Sequence, residues 1–318
     1  MEIVSKIPRK SGSESRHVSG LLMVLFSASL WGLSGTAAQV LFTSYHVHPG
    51  WLVTSRLLIA GLGLLALETL RGHSNHILEV WGNKSDRLLI VVFGVLGMLG
   101  VQLTYLLAIS YGNAATATLL QYLGPIVIII FTSVRLRKMP TRPQLMAAAL
   151  AILGTFLLVT GGTVTNVSIS ASGISWGLAS AVALAFYTLF PAPLLKKYGA
   201  GVTTGWGMLV GGLLSSLLFR PWTQLSLFYS VRMDLLMAFV VGCGTFLAFY
   251  LYLDSLRVIS PTQAGLASCA EPLSASTAAL LWLHVRVGVW GMLGGICIVG
   301  AVITLSLTPN IKIGHNET

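Results

Sequence analysis

Charge of either sign is scarce in this sequence of 318 residues. Asp, Glu, Lys and Arg together make up 9% of it, whereas soluble globular chains carry about 25%. Hydrophobic residues make up 55%, and the mean hydropathy is +0.83. Charged residues are absent from several long stretches, among them 18–55, 88–134, 143–195, 235–253 and 287–311. Because about 20 apolar residues cross a bilayer as a helix, the composition excludes a soluble fold and predicts an all-α, polytopic membrane protein.

Cysteine is also scarce, and the motifs of common cofactors are missing from the sequence. Cys243, Cys269 and Cys297 all lie inside apolar stretches, which is typical of small packing residues and not of a disulfide framework. No Cys-x-x-Cys or His-x-x-x-His pattern occurs, and Gly161-Gly162 is not followed by the Lys-Ser or Lys-Thr pair of a phosphate loop. We therefore expect no metal, no other cofactor and no enzymatic activity.

The apolar stretches divide into ten predicted transmembrane helices at glycine, proline, asparagine and charge clusters. The predicted helices are Val18–Thr43, Trp51–Leu70, Leu88–Ser110, Ala114–Val134, Pro143–Val159, Gly173–Leu195, Val202–Phe219, Leu235–Leu256, Thr262–Trp282 and Val287–Leu307.

The 19 Lys and Arg residues lie in short clusters between these helices. The net charge of +10 therefore reflects membrane orientation and does not indicate a nucleic-acid partner. With ten helices, fifteen of the basic residues fall on one side of the membrane, three fall on the other, and Arg56 falls within a helix. The positive-inside rule places the richer side in the cytoplasm. We expect a multi-pass protein of the cytoplasmic membrane with both termini in the cytoplasm.

The two halves of the sequence show a faint internal repeat. Residues 19–28 overlay residues 172–181 at an offset of 153, and Tyr105 and Pro125 overlay Tyr252 and Pro272 at an offset of 147. Because five is odd, a duplicated five-helix unit would enter the membrane from opposite sides, and inverted halves of this kind hold the solute at their interface. The predicted organisation is a cytoplasmic tail at 1–17, repeats at 18–161 and 173–308 joined by an external linker at 162–172, and a second cytoplasmic tail at 309–318.

Several short motifs, in their order and spacing, resemble the EamA-type ten-helix members of the drug/metabolite transporter superfamily. They are Trp31-Gly32, Arg56-Leu57-Leu58-Ile59-Ala60, Leu123-Gly124-Pro125, Ala270-Glu271-Pro272 and the segment Gln144–Leu158. Family members often carry a glutamate just after helix four or nine, where this sequence has Arg-Leu-Arg-Lys at 135–138 and His-Val-Arg at 284–286. Any role of that glutamate does not transfer to this chain.

The resemblance implies a secondary transporter that exports small metabolites, such as amino acids or related compounds, by alternating access. A channel-like facilitator and a membrane-embedded enzyme are the alternatives. No filter sequence is evident for a channel, and one acid deep in the membrane is too few for an enzyme. The expected partners are a small-molecule solute and membrane lipid, with a homodimer left open beside a monomer.

Four charged residues fall inside predicted helices, where charge is costly. Glu68 and Asp254 lie near helix ends and are expected to pair with Arg71 and Arg257 at i, i+3 spacing, whereas Glu271 and Arg56 are the candidates for function. Glu271 is the only acid deep in an apolar segment, so its side chain is expected to face the protein interior or a wet cavity. It either couples transport to protons or solute, or it hydrogen-bonds the helix ends around Pro272. Arg56 either contacts an anionic group of the solute or anchors neighbouring carbonyl groups with its head extended toward the interface.

Polar and aromatic residues recur at helical spacing on five of the predicted helices. The predicted cavity lining consists of Trp31 and Ser34 on helix one, Gln102 and Tyr105 on helix three, Gln121 on helix four, Tyr187 on helix six, and Phe249 and Tyr252 on helix eight. Because lipid-facing surfaces rarely hold glutamine, both glutamines are expected to point inward. An aromatic and amide lining suits a small, partly apolar, zwitterionic solute. The alternative is that these residues only hold the helices together.

Overall fold

The computed structural model describes residues 11–111, 114–162, 170–222, 230–282 and 288–306. Within these ranges the chain is helical apart from short turns and contains no strand. The predicted all-α class is therefore confirmed.

Fifteen α-helices make up the described chain. Those of the first half are α1 Ser11–Tyr45, α2 Pro49–Leu70, α3 Ser74–Gly82, α4 Lys84–Val92, α5 Gly100–Tyr111, α6 Ala114–Gln121, α7 Gly124–Leu136 and α8 Arg142–Thr160. Those of the second half are α9 Ala171–Leu189, α10 Ala192–Phe219, α11 Val231–Val241, α12 Ala248–Ser255, α13 Pro261–Ala267, α14 Glu271–Trp282 and α15 Val289–Ser306. Two π-helical segments, Phe93–Leu99 and Gly242–Leu247, join α4 to α5 and α11 to α12, and a 3-10 segment, Ser268–Ala270, joins α13 to α14.

Seven helical segments are long and apolar enough to cross a membrane. They are Arg16–Phe42, Pro49–Leu70, Lys84–Ala108, Ala117–Leu136, Ala171–Leu189, Ala192–Phe219 and Val231–Ser255. Two further apolar helices, Arg142–Leu157 and Val289–Thr304, are shorter, and α13 and α14 form one interrupted helix. The seven spans confirm a polytopic membrane protein. The full count of ten stays a prediction, which these last three segments would complete.

Two pairs of irregular segments occur at equivalent places in the two halves. The π-helical segments begin 149 residues apart, at Phe93 and Gly242. The other pair consists of the turn between α6 and α7, followed by Pro125, and the 3-10 segment between α13 and α14, followed by Pro272. A proline ring removes one backbone donor from a helix and crowds the preceding turn, so both helices are interrupted just before it. The sequence predicted each of these two helices as continuous, which the structure corrects.

The helix contacts also repeat between the halves. Helix α2 packs on α10, and α8 packs on α15. Helix α5 packs on α9 as α12 packs on α1, and α7 packs on α9 as α14 packs on α1. Exchanging the two halves therefore reproduces these contacts.

Glycine permits the closest of these helix contacts. A Cβ atom at Gly61 of α2 would lie 2.9 Å from the backbone nitrogen of Leu209 in α10. A Cβ atom at Gly154 of α8 would lie 2.8 Å from the carbonyl oxygen of Gly294 in α15. Small residues let membrane helices approach at backbone distance, so glycine is required for the observed spacing at both positions.

Several predicted boundaries are wrong on the side of the membrane that is rich in Lys and Arg. The sixth predicted helix continues to Leu195, but α9 ends at Leu189, because Pro191 cannot supply the next helical hydrogen bond. Leu195 belongs to α10, which begins at Ala192 and is broken at Gly199, where φ is 77°. Only glycine adopts that conformation without strain.

Two helical regions were not predicted at all. Helix α1 begins at Ser11, inside the predicted cytoplasmic tail of residues 1–17. Helix α3 lies between the second and third spans, with Ile77 and Val80 buried and Leu78 exposed. It packs through these apolar residues, and the carbonyl oxygen of Ile77 accepts a hydrogen bond from Nε1 of Trp206 at 2.9 Å. The helix is too short to give an apolar stretch of membrane length.

Candidate functional site

Four aromatic side chains from three helices meet in what we call the aromatic cluster: Trp31 of α1, Tyr187 of α9, and Phe249 and Tyr252 of α12. The ring centroid of Trp31 lies 5.0 Å from that of Phe249 and 5.2 Å from that of Tyr252. Tyr187 lies 5.7 Å from Phe249 and stacks on Tyr252 at 5.6 Å. All except the half-buried Trp31 are buried. The structure thus brings together four of the residues predicted to line the cavity.

The two tyrosine hydroxyls of the aromatic cluster differ in their hydrogen bonding. The Tyr252 hydroxyl lies 3.0 Å from Oγ1 of Thr188, which itself donates to the carbonyl oxygen of Leu184 at 2.9 Å. Because the Thr188 proton is used in that bond, Tyr252 donates and Thr188 accepts. The Tyr187 hydroxyl is buried, and no residue in the described ranges forms a hydrogen bond with it.

A second set of contacts joins the two interrupted helices. Tyr122 lies in the turn between α6 and α7, and Glu271 is the first residue of α14. The Tyr122 hydroxyl donates to Oε2 of Glu271 at 2.8 Å. At the same break, the Ser274 hydroxyl donates to the backbone oxygen of Glu271 at 2.8 Å. The Glu271 carboxylate therefore binds a side chain of the other half of the chain, at the break of an interrupted helix.

Tyr105 and Gln121 lie beside this junction and hold neighbouring helices together. The Tyr105 hydroxyl lies 2.8 Å from Oγ1 of Thr118, across α5 and α6. The Gln121 side-chain amide donates to Oγ of Ser180 in α9 at 2.8 Å. Together with Tyr122 and Glu271 they form the polar cluster, defined as Tyr105, Thr118, Gln121, Tyr122, Ser180 and Glu271.

Arg56 links the two clusters. Its guanidinium carbon lies 6.0 Å from the ring centroid of Phe249, within the range of a cation–π contact. The guanidinium also interacts electrostatically with the Glu271 carboxylate, although the two form no ion pair within 4.0 Å. The Nε atom of Arg56 is buried and has no hydrogen-bond partner in the part of the chain that the structure describes. A cation and an anion therefore face one region of the interior without neutralising each other directly.

Two of the predicted lining residues make their contacts elsewhere. Ser34 is buried against Gly244 of the second π-helical segment. The Gln102 amide donates to the carbonyl oxygen of Met98 one turn earlier, at 3.2 Å, while its Oε1 atom has no partner. Neither side chain is among the described contacts of the aromatic or polar cluster.

The sequence missed two residues of the site. Tyr122 is the hydroxyl partner of Glu271, and Phe93 stacks on Tyr187 with centroids 6.1 Å apart. Proximity to the Gly124-Pro125 break was the available signal for Tyr122. Phe93 carries no polar group and begins a π-helical segment, so nothing in the sequence distinguished it from other core residues.

Two ion pairs predicted at helix ends are confirmed. Nη1 of Arg71 lies 3.1 Å from Oε1 of Glu68, and Nη1 of Arg257 lies 2.9 Å from Oδ1 of Asp254. Both pairs lie away from the aromatic and polar clusters, toward one end of the helix bundle.

The chain is similar to known proteins over nearly its whole length. The model of the EamA-like transporter family matches residues 18–160 and 171–307. An uncharacterized inner membrane transporter of Salmonella typhimurium, YicL, is 40% identical over 290 residues, which cover 91% of this chain and 95% of the relative. An uncharacterized transporter of Bacillus subtilis, YwfM, is 24% identical over 91% of this chain and 94% of its own length. A crystal structure described only as that of a protein superposes with a TM-score of 0.74 at 19% identity, over 92% of this chain and 96% of its own.

Proposed function

The chain belongs to the EamA-like transporter family, and from this premise we propose that it exports small zwitterionic metabolites, amino acids or related compounds, by alternating access. Its family and its transporter relatives indicate that the protein is a multi-pass transporter of the cytoplasmic membrane. The solute class, the direction of transport and the cytoplasmic location of both termini belong to the proposal.

The proposal that the solute is a zwitterion rests on the separated charges of Arg56 and Glu271. Buried opposite charges are stable when they pair closely, yet these two interact at a distance, without an ion pair. A zwitterion can supply a carboxylate to the guanidinium and an ammonium group to the carboxylate. The adjoining aromatic cluster offers apolar contact to the rest of the solute and a cation–π surface to its ammonium group.

The junction of the two interrupted helices supports alternating access. In many secondary transporters, the solute and the coupling ion bind where discontinuous helices meet between two repeats. Here the breaks meet through the bond from Tyr122 to Glu271. We propose that Glu271 is the coupling group, and that a solute ammonium group competes with the Tyr122 hydroxyl for its carboxylate. Proton entry or the solute's own outward gradient would then drive export.

Solute counterflow in proteoliposomes tests the proposed function. Purified protein is reconstituted in vesicles preloaded with one unlabelled amino acid, and uptake of the labelled compound is followed across a panel that includes aromatic amino acids. A carrier accelerates exchange, a channel only dissipates the gradient, and an enzyme converts the compound to a product seen by mass spectrometry. Uptake that is independent of the internal solute, for every compound in the panel, would contradict the proposal.

An Arg56→Gln variant tests the assigned contact with the solute carboxylate. Wild-type protein should prefer an amino acid to the amine formed by its decarboxylation, because only the amino acid engages the guanidinium. Losing a charge-assisted hydrogen bond of roughly 1.5–3 kcal/mol should reduce this preference by about 10- to 100-fold in competition counterflow assays. Arg232→Gln, at an exposed arginine, is the matched control. An unchanged preference in Arg56→Gln would assign Arg56 a structural role.

A further inference from the structure

A cavity of about 290 Å³ opens at one end of the bundle, apart from the aromatic and polar clusters. Three connections contribute to it: the end of α2 with α3, the start of α10, and the end of α12. Its charged and titratable lining consists of Arg71, His73, His76, Lys196, Lys197 and Arg257, with one carboxylate, Glu68. We call it the basic pocket. The positive-inside prediction assigns all three connections to the cytoplasmic side.

Nearby carboxylates bind only some of the cationic N–H groups that line the basic pocket. Arg71 and Arg257 each bind a carboxylate through Nη1 alone, and a guanidinium has five N–H donors. Lys197 binds Asp86 at 2.6 Å. For Lys196 no ion pair occurs within the described ranges. Cationic donors therefore remain free to bind an anion in the cavity.

Glu68 fixes part of the pocket wall from inside. Its side chain is buried, with 7% exposed, and binds both Arg71 and His73, the latter through Oε2 at 2.8 Å. The carboxylate lies against Gly201, where a Cβ atom would overlap it, just after the break of α10 at Gly199. The Arg71 head is held further by Tyr250, whose hydroxyl oxygen accepts from Nη1 at 3.4 Å. Contacts within the protein therefore position this part of the pocket wall without a bound anion.

The pocket lies at the level where the membrane helices end. Arg71 follows the span Pro49–Leu70 directly, and Tyr250 lies five residues before the end of the span Val231–Ser255. Tyrosine and basic side chains at this level contact lipid headgroups, and basic pockets between helices on the cytoplasmic side bind anionic headgroups.

From this cavity, its surplus of cationic donors and its position, we propose that the basic pocket binds a phosphate group. The phosphate belongs either to an anionic phospholipid of the adjacent leaflet or to a free phosphate ion, and both present the same oxygens to the same donors. The occupant would bridge the ends of α2 and α12 and the start of α10. It is separate from the proposed solute, which binds in the interior between Arg56 and Glu271.

Lipid retention measured by native mass spectrometry tests the proposal without requiring transport. The purified protein is mixed with phosphatidylglycerol or phosphatidylcholine, and a Lys196→Gln/Arg257→Gln variant is compared with Lys84→Gln/Arg87→Gln. The control removes equal charge from exposed residues of α4 outside the pocket. Because each basic side chain strengthens binding of an anionic surface modestly, loss of two should weaken phosphatidylglycerol binding by roughly 10- to 30-fold, and the control should retain it.

Thermal unfolding distinguishes the source of the phosphate. Stabilisation by phosphatidylglycerol but not by inorganic phosphate, at matched ionic strength, assigns the pocket to lipid; stabilisation by phosphate alone assigns it to the free ion. In either case the pocket variant must lose the shift, measured from its own unliganded unfolding temperature. Equal responses of the pocket variant and its control, or no response of the wild type to either probe, would overturn the proposal.

Discussion

Arg56 and Glu271 are the two charged side chains of the proposed solute site. Charged groups inside a membrane helix are costly and are retained where they face a cavity or a partner. Glu271 has a hydroxyl partner in Tyr122, whereas the Nε atom of Arg56 has none. In the proposed site, a bound carboxylate would supply Arg56 with a partner that Nε lacks among the described residues, whereas a bound cation would compete with Tyr122 for Glu271. Solute binding should therefore depend more steeply on Arg56, and coupling on Glu271.

Glu271→Gln separates coupling from binding. The amide retains an acceptor for the Tyr122 hydroxyl but cannot carry a proton in exchange for solute. We expect counterflow without a pH gradient to persist, within about tenfold of wild type, a loss comparable to one weakened hydrogen bond. Transport driven by a pH gradient should be abolished. Both are measured in proteoliposomes, with Glu79→Gln, at an exposed glutamate of α3, as the matched control. Full pH-driven transport by Glu271→Gln would exclude it as the coupling group.

The two tyrosine hydroxyls of the aromatic cluster predict opposite consequences for the same substitution. Tyr252→Phe removes a bond to Thr188 and should cost about 1 kcal/mol of stability, seen as a lower unfolding temperature. Tyr187→Phe removes a hydroxyl with no hydrogen-bond partner in the described ranges, so stability should be unchanged or raised while the KM for counterflow rises. The pair serves as its own control, since both remove one oxygen from a buried ring. Equal thermal shifts would contradict the assignment.

At the residue scale, spacing located the aromatics better than the polar groups. Phe249 and Tyr252 are three residues apart and so share a helix face, and large rings reach neighbours across a helix interface. Ser34 and Gln102 have the same kind of spacing, but short or backbone-bonded side chains are satisfied locally, by packing on Gly244 and by the carbonyl group of Met98. Spacing indicates which way a side chain faces, while its partner depends on the tertiary packing.

At the element scale, the irregular segments are the feature that sequence reasoning describes least well. Pro125 and Pro272 were visible as helix-perturbing residues, yet continuous helices were expected, because proline is tolerated in membrane helices where neighbours satisfy the freed groups. The π-helical segments are rich in glycine, with Gly94 and Gly97 in one and Gly242 and Gly244 in the other. Glycine also occurs in regular helices of this chain, so composition alone does not identify a π-helical segment.

Because α2 packs closely on α10, adding one methyl group to a glycine should lower stability at this contact but not where a glycine has open space around it. Gly61→Ala places a Cβ atom 2.9 Å from a backbone nitrogen of α10 and 3.0 Å from a carbonyl oxygen, so the helices must separate. Overpacking of this kind costs roughly 1–3 kcal/mol, which thermal unfolding of the purified protein will show. Gly35→Ala is the control, because its Cβ atom would meet nothing within 4 Å in α1. It should leave stability unchanged or slightly raised, and equal destabilisation of both variants would contradict the packing.

At the scale of the whole molecule, the organisation was more predictable than any single site residue. Charge-free length predicts membrane spans, and the order of short motifs indicated the family. The contacts that map onto themselves when the halves are exchanged, such as α5 on α9 and α12 on α1, agree with a duplicated unit. The charges break this repetition: residue 124, equivalent to Glu271 at an offset of 147, is glycine. If the halves are copies, the charged residues of the proposed site arise from differences between them.

Inversion of the two halves can be tested by the position of their connections relative to the membrane. If the basic side is cytoplasmic, the α1–α2 connection at His46 is external and Ser85, in the first turn of α4, is internal; both positions are exposed. In a chain with Cys243, Cys269 and Cys297 replaced by alanine, His46→Cys should react with an impermeant maleimide in intact cells. Ser85→Cys, the matched control for accessibility, should react only after permeabilisation.

In the second half, Lys197→Cys should behave like Ser85→Cys and Trp222→Cys like His46→Cys, because an odd number of spans separates the equivalent connections. Labelling of Lys197→Cys from outside would mean that the halves are parallel, and the proposed interface between inverted repeats would then be wrong.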